Sequence, residues 1–438
     1  MKLIYSTYLK LIGLLVLLTS LCACHNDEAD SSQKPTNKGA RRTVLIYMCA
    51  QNSLGAKKFH RSDSTEIMQG RQYIMPYDRL LLYVDDAQYP RLMEISACSE
   101  SPVLLRQWSK EVNSANPQTL RDVASWVRQH YPAREYGLVL WSHADGWLPA
   151  TNKEYTRPLS TFAPFSFGID VGPGGSLYGD RDQTGEPGPQ MDITDMANAL
   201  TESGMHLRYI LFDACLMQNV ESSYALRHVT DYVVASPMAI SAYGGNYTHL
   251  IKKGLFSPQV EDIVTTYYAD IIDPAQYNTY DDYGIVISSV RTAGLDSLAH
   301  TIAELLPQSA LATSNATVSF NDVQHYHPYT ATYYYRPYQH DLRCTMQRIL
   351  SAENMQRLDE ALAKVVTCKR TTARFWAGPG NWTYINVDTI NYCGVAAFLP
   401  QPVYTQNASA CIFGDLNEQF RQTEWYHAAG WAGLEIRD

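Results

Sequence analysis

The feature that most constrains the fold is an alternation between short, uninterrupted apolar runs and helical patterns. Six apolar runs indicate strands: Thr43–Met48, Arg79–Val84, Gly137–Trp141, Tyr209–Phe212, Tyr232–Ala235 and Ile285–Ile287. Runs of this kind are typical of strands that helices cover on both faces. Helices are predicted after the capping pair Asn116-Pro117 and over Met191–Leu200 and Met217–Arg227. The alternation predicts an α/β fold with a mostly parallel sheet sandwiched by helices.

The pattern changes at two places along the 438 residues. Residues 150–190 are rich in Gly, Pro and Asp, which predicts an exposed loop. After residue 300 the alternation weakens and tyrosines accumulate. We therefore predict a main domain over residues 41–300 and a C-terminal α+β subdomain over residues 301–438.

The N-terminus carries the features of an export signal. Lys2 and Lys10 precede an apolar stretch, Leu11–Leu18, that is too short to span a bilayer. The segment ends in Leu21-Cys22-Ala23-Cys24, which resembles a bacterial lipobox with Cys24 as the lipidated residue. This predicts a signal peptide over residues 1–23 and, over residues 24–40, a lipidated Cys24 with a flexible tether. An ordinary signal peptide or a short hydrophobic anchor are the alternatives.

The acidic tract after Cys24, residues 25–30, resembles the sorting signal of surface lipoproteins in Bacteroidetes, and a plain solvated linker has the same composition. The expected location is thus the outer membrane or the cell surface, or else a site facing the periplasm. The membrane is contacted through the lipid anchor.

Composition and motifs exclude several classes of function. The formal net charge of −9 argues against nucleic-acid binding, because phosphate contacts need a basic surface. The common signatures of zinc peptidases, serine hydrolases, P-loops and dinucleotide sites are missing from the sequence. The segment from Asp180 to Gly185 begins like an EF-hand loop, but Met191 stands where the bidentate Glu belongs. No metal site and no cofactor are predicted from these patterns.

Two reactive side chains directly follow predicted strands: His143 and Cys215. In open parallel sheets, ligands bind beyond the carboxyl ends of the strands. A thiol between a strand and a helix lies near the positive end of that helix, and a neighbouring imidazole can take up its proton. This arrangement favours nucleophilic catalysis. The alternative for this pair is a buried, inert thiol and a hydrogen-bonded loop histidine.

The residues around this pair resemble the two active-site segments of the clostripain family, whose wider group contains caspases, legumains and gingipains. The resemblance rests on Tyr136–Trp147 (YGLVLWSHADGW) and Tyr209–Met217 (YILFDACLM), and it extends over roughly residues 41–290. It implies a caspase-like fold for the main domain and a catalytic dyad of Cys215 and His143. It also implies that Asp213 lies in the pocket for the residue before the scissile bond, where the family prefers Arg or Lys.

The sequence departs from the family pattern at two positions. Ala144 follows His143 where the family usually has Gly, so the oxyanion donors would be the backbone N–H groups of Ala144 and Cys215. Residues 237–240 lack an acidic residue, which leaves Asp213 as a lone anion and predicts a modest preference for Arg or Lys. Alternatively, Asp213 caps the turn or orients the backbone.

The sequence as a whole favours an exported cysteine endopeptidase that acts on proteins or peptides through a thioester. The resemblance also makes cleavage between the dyad residues an expectation, with Lys153, Arg157 and Arg181 in the interval, and it makes calcium a candidate ligand. Two other functions stay open: a catalytically degenerate fold that serves as a surface binding module, and a glycan-binding surface lipoprotein. The second is suggested by six tyrosines: Tyr326, Tyr329, Tyr333, Tyr334, Tyr335 and Tyr338.

Overall fold

The computed structural model describes residues 39–150, 167–172, 180, 188–273, 275, 283–313, 318–327, 338–377, 384–411 and 413–434. Cys24 and the rest of residues 1–38 lie outside this part of the chain, as do Lys153, Arg157 and Arg181. Residues 39–438 form one compact unit. Within the described residues, no helix combines the length and the apolar character needed to cross a membrane.

In the described residues, nine strands form the main sheet. They are β1 (Ala40–Cys49), β2 (Asp78–Asp85), β3 (Arg91–Ile95), β4 (Val103–Gln107), β5 (Ala133–Trp141), β6 (Leu207–Asp213), β7 (Tyr232–Ala235), β8 (Val286–Arg291) and β10 (Val366–Thr371). Their order is β10-β8-β7-β6-β5-β1-β2-β3-β4. The five central strands are parallel, and two strands are added antiparallel at each edge. Two small antiparallel pairs join β9 (His340–Asp341) to β13 (Ala396–Ala397) and β11 (Arg374–Trp376) to β12 (Tyr384–Asn386).

Helices flank the sheet and dominate the C-terminal part. The α-helices of the described residues are α1 (Ser53–Ala56), α2 (Phe59–Gly70), α3 (Pro117–His130), α4 (Ile193–Ser203), α5 (Val220–Ala225), α6 (Tyr247–His249), α7 (Glu261–Ile272), α8 (Leu295–Leu305), α9 (Ala310–Thr313), α10 (Leu342–Ile349), α11 (Ala352–Val365), α12 (Pro402–Gln406), α13 (Leu416–Arg421) and α14 (Glu424–Ala428). Short 3₁₀ turns occupy Arg71–Tyr73, Thr292–Gly294, Leu306–Gln308, Ala408–Ala410 and Trp431–Gly433, and Leu250–Gly254 is a π-turn.

The two faces of the sheet bury separate cores. Alternate residues of a strand point to opposite faces. Leu45 and Tyr47 therefore pack with α3 and α4, whereas Val44 and Ile46 pack with α2 and α7. A third core holds α8, α10 and α11 together in the C-terminal part. The predicted α/β class with a sheet sandwiched by helices is confirmed, and so is a C-terminal part made of helices and small sheets.

Two predicted helices differ in extent from the observed ones. The first begins at Ile193 instead of Met191, because Met191 forms a β-bridge with Phe167 and Asp192 occupies the N-cap position. The second covers only Val220–Ala225, because Asn219 caps it through a hydrogen bond to the N–H of Ser222. The shortening leaves residues 214–219 as an extended turn after β6.

Candidate active site

His143 and Cys215 follow neighbouring parallel strands at the same distance from their ends. β5 and β6 pair in register up to Trp141 opposite Asp213, and each reactive side chain comes two residues later. Parallel register therefore brings both residues to the carboxyl edge of the sheet, where ligands bind in folds of this class.

The loops that carry these two residues pack directly against each other through Gly146. This glycine has a φ of +74°, and a Cβ there would lie 2.7 Å from the carbonyl oxygen of Leu216. The same oxygen accepts hydrogen bonds from Asn219 Nδ2 at 2.9 Å and from Gln339 Nε2 at 3.2 Å. Leu216 is itself held at a φ of +62°, a conformation that a residue with a side chain adopts only when its surroundings enforce it. The geometry of the turn after Cys215 thus depends on the close approach of the His143 loop.

Asp180 and Ser53 hold one side of the His143 imidazole. Nε2 of His143 lies 3.0 Å from Ser53 Oγ and 3.4 Å from Asp180 Oδ2. Asp180 in turn accepts hydrogen bonds from the N–H and the hydroxyl of Ser53, at 2.5 and 3.1 Å. Burial lowers the pKa of His143, and the neighbouring Asp180 carboxylate partly opposes that change. The resting imidazole is therefore neutral and is oriented by Ser53 and Asp180.

The Cys215 side chain forms no disulfide and is half-buried. Its Sγ accepts a hydrogen bond from the N–H of Ile240 at 3.4 Å. Burial raises the pKa of Cys215 to about 12, and the Ile240 N–H only partly offsets this effect. The helix after β6 starts at Val220, five residues beyond the thiol, so it does not supply the dipole that the sequence suggested. The resting cysteine is a neutral thiol.

Two backbone N–H groups beside the pair are available to an oxyanion. In the described part of the chain, neither the N–H of Ala144 nor that of Cys215 donates to a protein acceptor. The next N–H along, that of Leu216, is engaged by the carbonyl of Met238 at 3.0 Å. Both oxyanion donors named from the sequence are therefore unengaged among the described residues.

Asp213 is the last residue of β6, two residues before Cys215, and its side chain is buried. It is 4% exposed, and its two carboxylate oxygens accept hydrogen bonds from the hydroxyls of Tyr267 and Tyr247, each at 2.9 Å. The loop at Gly244 passes so close that a Cβ there would lie 2.6 Å from Asp213 Oδ2. Burial raises the pKa of Asp213 to about 6, because the three hydrogen bonds from Tyr267, Tyr247 and Gly245 offset desolvation only in part. Asp213 is an anion at neutral pH.

A second carboxyl group near Asp213 is neutral. Burial, with the nearby charges of Asp213 and Glu66, raises the pKa of Asp63 to about 9. Trp141 Nε1 donates a hydrogen bond of 2.7 Å to Asp63 Oδ2. The buried negative charge close to Cys215 therefore comes from Asp213 and not from Asp63.

Several residues of this site were missed from the sequence. Ser53, Tyr247 and Tyr267 had no recognised role, and Asp180 stood out only as the start of an EF-hand-like segment. Ser53 could have been found, because it comes four residues after β1, at the edge of the sheet where His143 follows β5. Tyr247 and Tyr267 come from helices far along the chain, which no local pattern connects to Asp213.

The tyrosine cluster does not provide a sugar-stacking face in the part that is described. Tyr326 and Tyr338 are 1% and 2% exposed, and the Tyr326 hydroxyl donates to Asp341 Oδ2 at 2.7 Å. The other four tyrosines of the cluster lie outside the described residues. The two that are described serve the core.

Comparison with known proteins assigns the chain to a family. The profile of the Clostripain family matches residues 46–161 and 182–427. A secreted C11 cysteine protease from Bacteroides thetaiotaomicron, solved with an irreversible peptide inhibitor, is 27% identical, with a TM-score of 0.71 and coverage of 90% of this chain and 100% of that one. An inactive zymogen C11 protease from Parabacteroides distasonis is also 27% identical, with a TM-score of 0.69 and coverage of 90% and 99%.

A third structure, the secreted C11 protease iotapain from Bacteroides thetaiotaomicron, is 19% identical and supports the fold, with a TM-score of 0.68 and coverage of 90% and 100%. No curated protein sequence matches the chain. The family profile covers well over half of the residues, and both 27% identical structures extend over nearly all of the chain. The chain belongs to the clostripain family and is a cysteine endopeptidase.

Proposed function

We propose that the chain is an exported endopeptidase that cleaves through a dyad of Cys215 and His143 and a thioester intermediate. The observation that carries this proposal is the pairing of β5 with β6, which brings both side chains to one edge of the sheet beside two unengaged N–H groups. A degenerate binding module and a glycan-binding lipoprotein have less support, because the family consists of peptidases and the two described tyrosines are buried.

In the proposed reaction, His143 removes the thiol proton as Cys215 Sγ attacks the carbonyl carbon of the substrate. The oxyanion accepts hydrogen bonds from the N–H groups of Ala144 and Cys215. His143 then gives its proton to the leaving amine as the C–N bond breaks, which leaves a thioester. A water molecule, deprotonated by His143, hydrolyses the thioester and restores the thiol.

The resting protonation states fit this sequence of steps. Ser53 and Asp180 lie beside Nε2 of His143 and orient the ring. Because the resting thiol is neutral, deprotonation accompanies attack and does not precede it. Asp180 supports the imidazolium that forms in the process, which makes it a positioning residue.

Covalent labelling tests this assignment. We expect a peptidyl electrophile with Arg or Lys beside its warhead to label Cys215 rapidly, because its carbonyl group engages the oxyanion donors. Iodoacetamide should react slowly at neutral pH, because the free enzyme holds a neutral thiol. Intact-mass spectrometry and peptide mapping identify the modified residue. Rapid peptidyl labelling of another cysteine, such as the exposed Cys98, would contradict the proposal.

We further propose that Asp213 gives a modest preference for Arg or Lys before the scissile bond. A buried carboxylate near the thiol favours a cationic side chain, but its two phenolic partners already satisfy much of its hydrogen-bonding capacity. Asp213 contributes this preference only when it is ionised.

The preference should therefore depend on pH. Since the pKa of Asp213 is about 6, the ratio of kcat/KM for Arg-containing over Ala-containing peptides should fall as pH drops through this value. Asp213→Asn should lower the ratio and remove its pH dependence between pH 5 and 8. Equal losses for both peptides in this variant would assign Asp213 a structural role.

The same pKa has the opposite consequence for folding. A carboxyl group whose pKa is raised in the folded state stabilises the fold at a pH below its ordinary value of 3.8, and this contribution is lost as pH rises through about 6. Asp213 thus lowers the stability of the fold at the pH where its charge serves binding. A buried group whose charge serves binding is expected to reduce the stability of the fold in this way.

We propose that maturation involves two events, processing of the N-terminus and a cleavage between His143 and Cys215. The features at residues 1–24 support export and lipidation of Cys24, and a similar protease is described as secreted. Another is described as an inactive zymogen, which supports activating cleavage between His143 and Cys215. Mass spectrometry of active protein should find a lipidated N-terminus at Cys24, lost in Cys24→Ala, and two associated fragments cut within residues 150–190. Full activity in an uncut chain would rule out obligatory cleavage.

A further inference from the structure

The segment after β1, residues 53–59, leads from His143 to an aromatic side chain. It begins with α1 at Ser53, whose Oγ lies 3.0 Å from Nε2 of His143. It ends at Phe59, the first residue of α2. Lys58 joins the two helices at a φ of +67°, a conformation that a residue with a side chain adopts only where its surroundings enforce it. The turn therefore holds Phe59 at a fixed position relative to His143.

A second segment, residues 240–245 after β7, runs from Cys215 to Asp213. Its first residue, Ile240, donates its N–H to Cys215 Sγ at 3.4 Å. Its last residue, Gly245, donates its N–H to Asp213 Oδ2 at 3.4 Å. The segment thus connects the proposed nucleophile with the carboxylate that is proposed to bind the substrate residue before the scissile bond.

The middle of this second segment presents an aromatic side chain, Tyr243, that is 42% exposed. Hydrogen bonds order the turn that carries it: the N–H of Tyr243 donates to Ser241 Oγ at 3.3 Å, and the N–H of Gly244 donates to the Ser241 carbonyl at 2.9 Å. The ring of Tyr243 meets that of Phe59 edge to face, with centroids 5.3 Å apart. The aromatic pair therefore joins the segment tied to the histidine to the segment tied to the thiol.

We propose that Tyr243 and Phe59 form a subsite for an apolar substrate side chain, that of the residue immediately before the one that pairs with Asp213. This inference rests on the proposed function, in which Cys215 attacks the carbonyl group of the residue that Asp213 binds. The Cα of that residue then lies between Cys215 and Asp213, the two points that residues 240–245 connect. The Cα of the preceding substrate residue is about 3.8 Å away. Its side chain therefore meets the middle of the segment, where Tyr243 lies.

The chemistry of this subsite favours apolar side chains. Two aromatic rings and the half-buried Ile240 offer apolar area, and ligand sites are lined mainly by such groups. Leu or Phe would bury apolar surface there, whereas a charged side chain would give up water without a partner on the rings. The exposed Lys58 directly precedes Phe59, so a substrate with Glu at this position shows whether charge or apolar contact decides.

Steady-state hydrolysis of matched peptides by the active enzyme tests the subsite. The peptides share Arg before the scissile bond and differ only in the residue that precedes Arg, which is Leu, Phe, Gly or Glu. We expect kcat/KM to be about tenfold higher for Leu and Phe than for Gly, the lower end of what apolar groups contribute in a binding pocket. The peptide with Glu should be cleaved no faster than the peptide with Gly.

Variants of the aromatic pair should change this preference. Tyr243→Ala should lower the ratio of kcat/KM for the Leu peptide over the Gly peptide toward one. Tyr243→Phe should keep the ratio, because the ring makes the contact and the hydroxyl does not. Phe59→Ala should lower the ratio as well, because Tyr243 loses the ring against which it packs. The ratio compares two substrates of one protein, so a smaller folded fraction in a variant does not change it.

Tyr77→Ala provides the matched control for the exposed tyrosine. Tyr77 is 50% exposed, similar to Tyr243, but it directly precedes β2 at the amino edge of the sheet, opposite the edge that carries the proposed dyad. This variant should keep the ratio of the parent enzyme. An equal fall of the ratio in Tyr77→Ala and Tyr243→Ala would contradict a local role of Tyr243.

Three results would overturn the subsite: equal kcat/KM for the Leu and Gly peptides, a ratio that Tyr243→Ala leaves unchanged, or faster cleavage of the Glu peptide than of the Leu peptide. Failure of the proposed dyad gives a different pattern, because folded Cys215→Ala protein would then cleave all four peptides. The two proposals can therefore fail independently.

Discussion

Cys215→Ala should abolish peptide cleavage, because alanine has no nucleophilic atom that could attack the substrate carbonyl. His143→Ala should lower kcat/KM by about 10²–10⁴-fold, the usual cost of losing a proton-transfer partner. Asp180→Asn should cost less, because it removes only the charge that supports the imidazolium. The measurement is the steady-state hydrolysis of a peptide with Arg before the scissile bond. Circular dichroism and the Tm show whether each variant is folded.

Cys98→Ala provides the matched control for the thiol. Cys98 is exposed and lies in the connection between β3 and β4. This variant should keep the kcat/KM of the parent. Cleavage by folded, purified Cys215→Ala protein at a rate close to that of the parent would disprove the role of Cys215, and an unaffected His143→Ala would do the same for the base.

Gly146→Ala should destabilise the fold and inactivate the enzyme at the same time. Its positive φ alone costs a residue with a side chain about 1–2 kcal/mol. The added Cβ also meets three atoms at 2.6–2.7 Å: Gln339 Nε2, Asn219 Nδ2 and the Leu216 carbonyl oxygen. Relief of this overlap requires the Leu216 turn to move, and the nucleophile adjoins that turn. Urea denaturation measures the stability, and kcat/KM measures the loss of activity.

Gly414→Ala separates the two causes. Gly414 has a φ of +70°, but among the described residues no heavy atom beyond its chain neighbours lies within 4 Å of the position that its Cβ would occupy. This variant should show the conformational cost alone and retain activity. Equal stability losses in the two variants, with activity retained in both, would show that contact between the loops does not fix the Cys215 turn.

The sequence alone determined the central strands and indicated the two residues of the proposed dyad. Uninterrupted apolar runs form β1, β2, β5, β6 and β7, because strands buried on both faces tolerate few polar side chains. His143 and Cys215 come directly after two of these runs. Because the two strands pair in parallel, both residues lie at the carboxyl edge of the sheet. The sequence segments around these two residues resemble the clostripain family, and the family profile confirms that resemblance.

The edges of the sheet were decided by tertiary structure. β3, β4 and β10 are short antiparallel strands with partly exposed residues, so they lack the apolar signal of the central strands. β10 joins the sheet from the C-terminal part by pairing with β8. Packing against segments that are distant in the sequence determines whether such strands join the sheet. The local residue pattern does not indicate this packing.

The electrostatic character of the site also arises only in three dimensions. Cys215 is a neutral thiol because it is buried against Ile240, although its position before a helix suggested a thiolate. Asp213 owes its pKa of about 6 to burial and to two tyrosines more than 30 residues away. A sequence specifies which groups can ionise, but desolvation and long-range partners set their pKa, and both exist only once the chain has folded.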